Sequence, residues 1–172
     1  LGDVYKRQSA VTWIHKHAAD YDLNPDQIFV SGHSAGGHLT AVLAATNWET
    51  FSGAPKDLIK GGIALSGIYD LTPVQHSYMQ ETLALTDEEL ANYSPQFFET
   101  VPSIPLIVAP GSAESNAFRY QSASLVNAWN AKGANCKYME PAGCNHFSIL
   151  TEFANPDSTL AQKSIQLIKK NL

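Results

Sequence analysis

The chain has 172 residues, which fits one domain by the usual range of roughly 100–200, and a chain of this size buries about 70% of its unfolded surface. An apolar fraction of 44% against 16% charged residues excludes a disordered polymer. The net charge of −5 comes without any run of Lys or Arg that could track a nucleic-acid backbone, and the longest apolar runs (Gly62–Leu65 and Ile104–Pro110) are far shorter than the ~20 residues that span a bilayer.

Leu1–Gln8 has no apolar periodicity and resembles translated adapter or vector sequence, so residues 1–8 are expected to be a non-native leader and residues 9–172 the domain. A natural signal peptide would then lie outside the chain. Ser9–Tyr21 places Val11, Ile14, Ala18 and Tyr21 on one helical face. Asn24-Pro25-Asp26 marks a turn. Gln27–Val30 is a short β-branched and aromatic run that ends in Ser31-Gly32 and predicts a buried strand. A helix over Ala35–Asn47 follows.

The unit then repeats. Gly61–Ser66 predicts a second strand and Pro105–Pro110 a third. A helix over about Ala117–Ala131 follows, with Phe118, Leu125 and Trp129 on one face. Cys136–Glu140 predicts a fourth strand, and Ser158–Asn171 a last helix that presents Ile165, Ile168 and Leu172. Within the long stretch Asp70–Ser103, Thr86 and Glu89 have the spacing of a helix-capping box. Strands that alternate with helices predict an α/β fold: a mostly parallel sheet of about four strands with helices on both faces.

The sharpest chemical signal is Gly32-His33-Ser34-Ala35-Gly36-Gly37, a Gly-x-Ser-x-Gly motif between a predicted strand and a predicted helix. Two glycines let the chain turn sharply. Ser34 is then exposed at the carboxyl end of the sheet, and the Ala35 N–H points where an oxyanion would form. The other reading is a Gly-rich turn or phosphate cradle, but a P-loop needs Lys followed by Ser or Thr, and His38 follows Gly37 here.

A serine nucleophile needs a base, and there are six histidines. His15 and His17 face different sides of a helix, His33 and His38 are too close in sequence to swing back onto Ser34, and His76 lies in the long stretch. His146, in the loop after the fourth strand, fits. The acid must follow a strand between them: Glu114 is favoured, Asp70 competes, and Glu140 is badly placed. Metal-ligand spacing and a dinucleotide fingerprint are both absent from the sequence, so no metal or cofactor is expected. Aromatic loop residues (Tyr69, Tyr78, Tyr93, Phe97, Phe98, Phe147) are candidates for an apolar substrate pocket or for plain packing. Cys136 and Cys144 are read as reduced thiols, with a single bridge between them as the alternative.

Together, Ser31–Leu39, Ala64–Leu71, Tyr93-Ser94-Pro95, Glu114–Ser122 and Asn145–Leu150 resemble the kynurenine formamidase (arylformamidase) branch of α/β-hydrolases, near the hormone-sensitive-lipase-like esterases. The resemblance implies a catalytic triad at Ser34, Glu114 and His146, with the acid 32 residues before the His. It implies an aryl formamide such as N-formylkynurenine as substrate, with a carboxylesterase or a non-catalytic binding module as alternatives. Apart from the resemblance, no cofactor and no nucleic-acid or membrane partner are expected; a cytoplasmic setting is expected, with a signal peptide and a homodimer left open. Two features depart from the pattern. The acid is Glu where related enzymes often have Asp, and the family's upstream His-Gly-Gly oxyanion motif does not occur in these residues. The chain is therefore expected to be the C-terminal part of such a fold.

Overall fold

The computed structural model describes residues 2–172. Helix α1 spans Gly2–Lys16 and a 3₁₀ turn spans Ala18–Tyr21. The helix thus takes in most of the segment expected as a leader. The helix buries Val4, Val11 and Thr12 and the 3₁₀ turn buries Ala18, whereas Ile14 and Tyr21 are exposed, so the predicted face is corrected. Gln8 fixes the helix by donating from Nε2 to Thr46 Oγ1 at 3.0 Å.

Strand β1 is Ile28–His33, followed by α2 (Ala35–Ala44) and α3 (Trp48–Ser52). The predicted helix to Asn47 ends early because Asn47 caps α3, accepting the Thr50 N–H at 3.0 Å. Strand β2 is Ile59–Leu65. The long stretch holds short helices α4 (Thr72–Gln75), α5 (Gln80–Leu83) and α6 (Asp87–Tyr93), then a 3₁₀ turn at Pro95–Phe97. Thr86 and Glu89 form the predicted capping box at the start of α6. Then come β3 (Pro105–Ala109), α7 (Asn116–Ala131), β4 (Asn135–Tyr138), α8 (Ser148–Ala154) and α9 (Thr159–Lys170).

The four strands form one parallel sheet in the order β1-β2-β3-β4. Alternation along β3 builds the two layers. Leu106 and Val108 pack with Ala41 and Ala44 of α2 and with Leu125 and Trp129 of α7. Ile107 and Ala109 pack with Ile149 of α8 and with Leu160 and Leu167 of α9. Each fully buried large side chain contributes about 1.5–3 kcal/mol by removal from water, so the sheet is held from both sides. Trp129 also anchors the long stretch by donating from its indole to the Pro95 carbonyl at 2.7 Å.

The face of α9 is corrected. Leu160, Ser164 and Leu167 point inward and Ile165 is exposed. A serine interrupts the stripe, yet its hydroxyl is satisfied by the Leu160 carbonyl at 2.8 Å, so it is tolerated in the core. Both cysteines are free. Cys136 packs on the α7 side of the sheet and Cys144 on the α8 side, so the sheet separates them and the alternative of a bridge falls away. No described helix is long and apolar enough to cross a membrane.

Candidate active site

The strands end level at their carboxyl edge, where His33 is in register with Leu65 and Leu65 with Ala109. Ser34 leaves β1 with φ 57° and ψ −116°, a sparsely populated backbone state that costs on the order of 1–3 kcal/mol. Its N–H still donates to the Leu65 carbonyl of β2 at 2.9 Å, which holds the strained residue in place. The glycine requirement differs from the sequence expectation. A Cβ at Gly32 would fall 2.2 Å from the Gly36 carbonyl oxygen and one at Gly37 would fall 2.6 Å from that of Leu65, whereas one at Gly36 would meet open space. Ala35 begins α2, so its N–H belongs to the first turn, where helix N–H groups have no acceptor within the helix.

Ser34, His146 and Glu114 form one hydrogen-bonded chain. His146 Nε2 lies 3.1 Å from Ser34 Oγ, and His146 Nδ1 lies 3.2 Å from Glu114 Oε2. The Glu114 side chain is 1% exposed and the His146 side chain 25%, so the carboxylate is buried and the imidazole is partly open to solvent. Glu114 Oε1 accepts from the Ser66 hydroxyl and from the Gly111 N–H, the latter at 2.9 Å. A carboxylate tied in this way keeps one oxygen free to accept the His146 Nδ1–H and to fix its tautomer.

The loops that carry acid and base are stitched together. Ala113 N–H donates to the Cys144 carbonyl at 2.9 Å, Ser112 N–H to the Pro141 carbonyl at 3.1 Å, and Gly143 N–H to Ser112 Oγ at 2.7 Å. Asn145 Oδ1 accepts the N–H groups of Phe147 and Ser148, both at 2.9 Å. That turn starts α8, a helix where the sequence reading had only loop, and it presents His146. The imidazole packs against the rings of His33 and Phe118, each with its centroid 4.6 Å away.

The other candidates lie elsewhere. His38 is buried and bonds the Tyr93 carbonyl at 2.7 Å, and burial outweighs that bond in lowering its pKa below 6.5. His17 pairs with Asp20, and His76 is exposed on its loop. The Asp70 carboxylate accepts the Thr72 N–H at 2.9 Å, and its backbone is clamped by the Gln121 amide, so Asp70 braces its own loop. Glu140 pairs with Arg119 at 2.8 Å. Sequence reasoning missed Ser66 and the contact made by His33. Ser66 had a usable signal, since it is a hydroxyl at the end of the strand between nucleophile and acid.

Beside the chain is an apolar cleft of about 210 Å³ lined by Ile68, Val74, Tyr78, Met79, Phe118 and Gln121. Phe118 is common to this cleft and to the stack on His146. Of the aromatic candidates, Tyr78 lines the cleft and Tyr69 is core. Among the described residues, no group of three or more His, Cys, Asp or Glu is placed to hold a metal.

Known proteins share this architecture. The chain is 32% identical to kynurenine formamidase of Danio rerio over 149 residues, which is 84% of this chain and 50% of that protein. It spans about half the length of the curated formamidases it matches from two fishes. It superimposes on the crystal structure of a candidate thioesterase from Silicibacter sp. tm1040 with TM-score 0.76 and 27% identity, covering 92% of this chain and 56% of that one. An esterase of Pyrobaculum calidifontis shares the fold at TM-score 0.70 and 18% identity, covering 97% of this chain and 60% of that one. A family profile described as BD-FAE matches residues 3–128, from α1 through the strand-turn-helix around Ser34 and into α7, and the chain belongs to that family of α/β-hydrolase folds.

Proposed function

We propose that the chain carries the catalytic centre of a serine hydrolase that cleaves an aryl formamide such as N-formylkynurenine. The observation that carries it is the continuous hydrogen-bonded chain from Glu114 through His146 to Ser34 at the carboxyl edge of a parallel sheet. In this mechanism Ser34 Oγ attacks the formyl carbonyl carbon while its proton passes to His146 Nε2. The carbonyl oxygen takes up the negative charge and accepts from the Ala35 N–H. Glu114 stabilises the imidazolium and remains ionised. As the C–N bond breaks, His146 gives the proton to the departing aryl amine. Water then loses a proton to His146 and adds to the formyl ester; as the Ser34 Oγ–C bond breaks, His146 returns that proton to Oγ, which frees Ser34 and releases formate.

The aryl formamide as substrate is supported by the similarity to the formamidases and by the apolar cleft that shares Phe118 with the packing on His146. The two buried free thiols suit a reducing, cytoplasmic setting, and a homodimer is the assembly this proposal allows.

The test is twofold: labelling of Ser34 by a fluorophosphonate, and turnover of N-formylkynurenine against short p-nitrophenyl esters. The expected result is labelling that disappears in Ser34→Ala, with formamide preferred over ester. Ester turnover alone would replace the formamidase by a general carboxylesterase. A folded protein that Ser34-directed reagents do not label would reduce the site to a non-catalytic binding module.

A further inference from the structure

His33 occupies the first variable position of Gly-x-Ser-x-Gly, next to the nucleophile. Its Nε2 lies 2.6 Å from the backbone oxygen of His146, across 113 residues of sequence. A carbonyl oxygen can only accept, so the proton is on His33 Nε2. The two rings meet at a centroid distance of 4.6 Å and an angle of 47°. Two consecutive residues therefore hold His146 from two directions, with Ser34 Oγ facing its Nε2 and His33 gripping its main chain.

The other bonds of the His146 loop do not involve the nucleophile. Asn145 Oδ1 accepts the Phe147 and Ser148 N–H groups at the start of α8, and Ser112, Ala113 and Gly143 tie that loop to the Glu114 loop. Among the described residues, the His33 bond is the one hydrogen bond from the β1–α2 turn to the backbone of the His146 loop. Without it, His146 stays attached to Glu114, and its distance from Ser34 is set by the side-chain contact between Nε2 and Oγ with no main-chain anchor to the β1 end. Phe118 also packs on the imidazole with a centroid distance of 4.6 Å, and loss of His33 removes one ring contact and the hydrogen-bond anchor together.

We propose that His33 is a positioning residue that sets the separation and angle between Ser34 and His146 through its N–H to the His146 carbonyl. The proposal rests on the Ser34–His146–Glu114 reading above, and His33 acts through His146 without touching the reacting atoms.

Two variants of similar length separate the donor from bulk. His33→Gln keeps an N–H at comparable reach, and His33→Met keeps the volume without a donor. The measurements are the rate of Ser34 labelling by a fluorophosphonate, the thermal midpoint, and the downfield proton resonance of His146 Nδ1–H. His33→Met is expected to label up to about 100-fold more slowly, the size expected of an ångström-scale misplacement, and to lose or broaden the resonance. His33→Gln is expected to recover most of the rate and the signal at a similar thermal midpoint. Parental labelling and an intact resonance in His33→Met would overturn the proposal, as would equal impairment of both variants. If the parent itself is not labelled at Ser34, the catalytic reading fails, and the resonance in the two variants still decides whether His33 holds His146.

Discussion

Replacing Glu114 by Gln changes one carboxylate oxygen into an amide nitrogen and leaves the side-chain shape intact. The structure dictates how the amide sits. The Ser66 hydroxyl and the Gly111 N–H both donate to Oε1, so the amide oxygen must stay there. The NH₂ then takes the place of Oε2, 3.2 Å from His146 Nδ1. An NH₂ can only donate, so Nδ1 becomes the acceptor and the imidazole proton moves to Nε2. The nitrogen facing Ser34 Oγ at 3.1 Å then bears a proton and cannot take another. A tautomer trap of this kind costs about 10⁴ in rate, or about 5.4 kcal/mol at 1.36 per factor of ten.

Folding responds differently. Gln still satisfies both buried donors, so Glu114→Gln is expected to remain folded. Glu114→Ala strands both donors at about 1–3 kcal/mol each, roughly 2–6 kcal/mol together against a typical total stability of 5–15, and confounds chemistry with unfolding. The assay is the Ser34 labelling rate, or turnover where substrate is found, alongside urea denaturation. A folded Glu114→Gln protein at parental rate would refute the tautomer argument. If Asp70→Asn instead abolished activity, the acid would be Asp70, against the observation that its carboxylate serves the Thr72 N–H.

Ser66→Ala removes a buried hydroxyl that donates to a carboxylate, a class of bond that contributes about 1.5–3 kcal/mol. The urea midpoint should fall accordingly with an unchanged slope. His38 has its pKa lowered by burial, so the unfolded chain binds its proton first as the pH falls. Its contribution is complete above about 6.5 and is lost as the pH drops through the lower folded-state value. His38→Gln should flatten the decline in urea midpoint over that range. Burial pushes the Cys136 thiol up to about 12 and also raises Cys144. Both thiols should resist an aromatic disulfide reagent near neutral pH and react once the chain is unfolded.

The strands were legible because a short apolar run between turn residues has few other solutions, and a mostly parallel sheet followed from their alternation with helices, whereas the strand order did not. Ser34, Glu114 and His146 could be named because strand ends in a parallel sheet converge on one edge. What stayed hidden depends on direction in space. Helices α3, α4, α5 and α8 have four to seven residues, too few for an apolar period to show in the sequence. The inward face of α9 was masked by Ser164, a polar residue whose bond is internal to the helix. His33 was set aside on sequence proximity to Ser34. That was right about the hydroxyl, but spacing alone could not place its ring on a carbonyl 113 residues away.

The choice of Glu over Asp at the acid position follows from the same edge. Ser34 and Ser66 each leave a strand with positive φ, at 57° and 49°, and each donates its N–H to the last residue of the next strand. Ser34 and the Glu114 loop therefore follow β1 and β3, with the end of β2 between them. The Glu114 carboxylate reaches over that end, one oxygen on Ser66 and the other on His146. Asp at this position would withdraw both oxygens by about one C–C bond, ~1.5 Å. The 3.2 Å contact to Nδ1 would then lengthen past hydrogen-bond range unless the acid loop moved. That loop is pinned to the His146 loop through Ser112 and Ala113, so moving one carries the other away from Ser34. Glu114→Asp is therefore expected to keep the charge and still lose most of the labelling rate. A parental rate in Glu114→Asp would show that the loops are looser than their stitching implies.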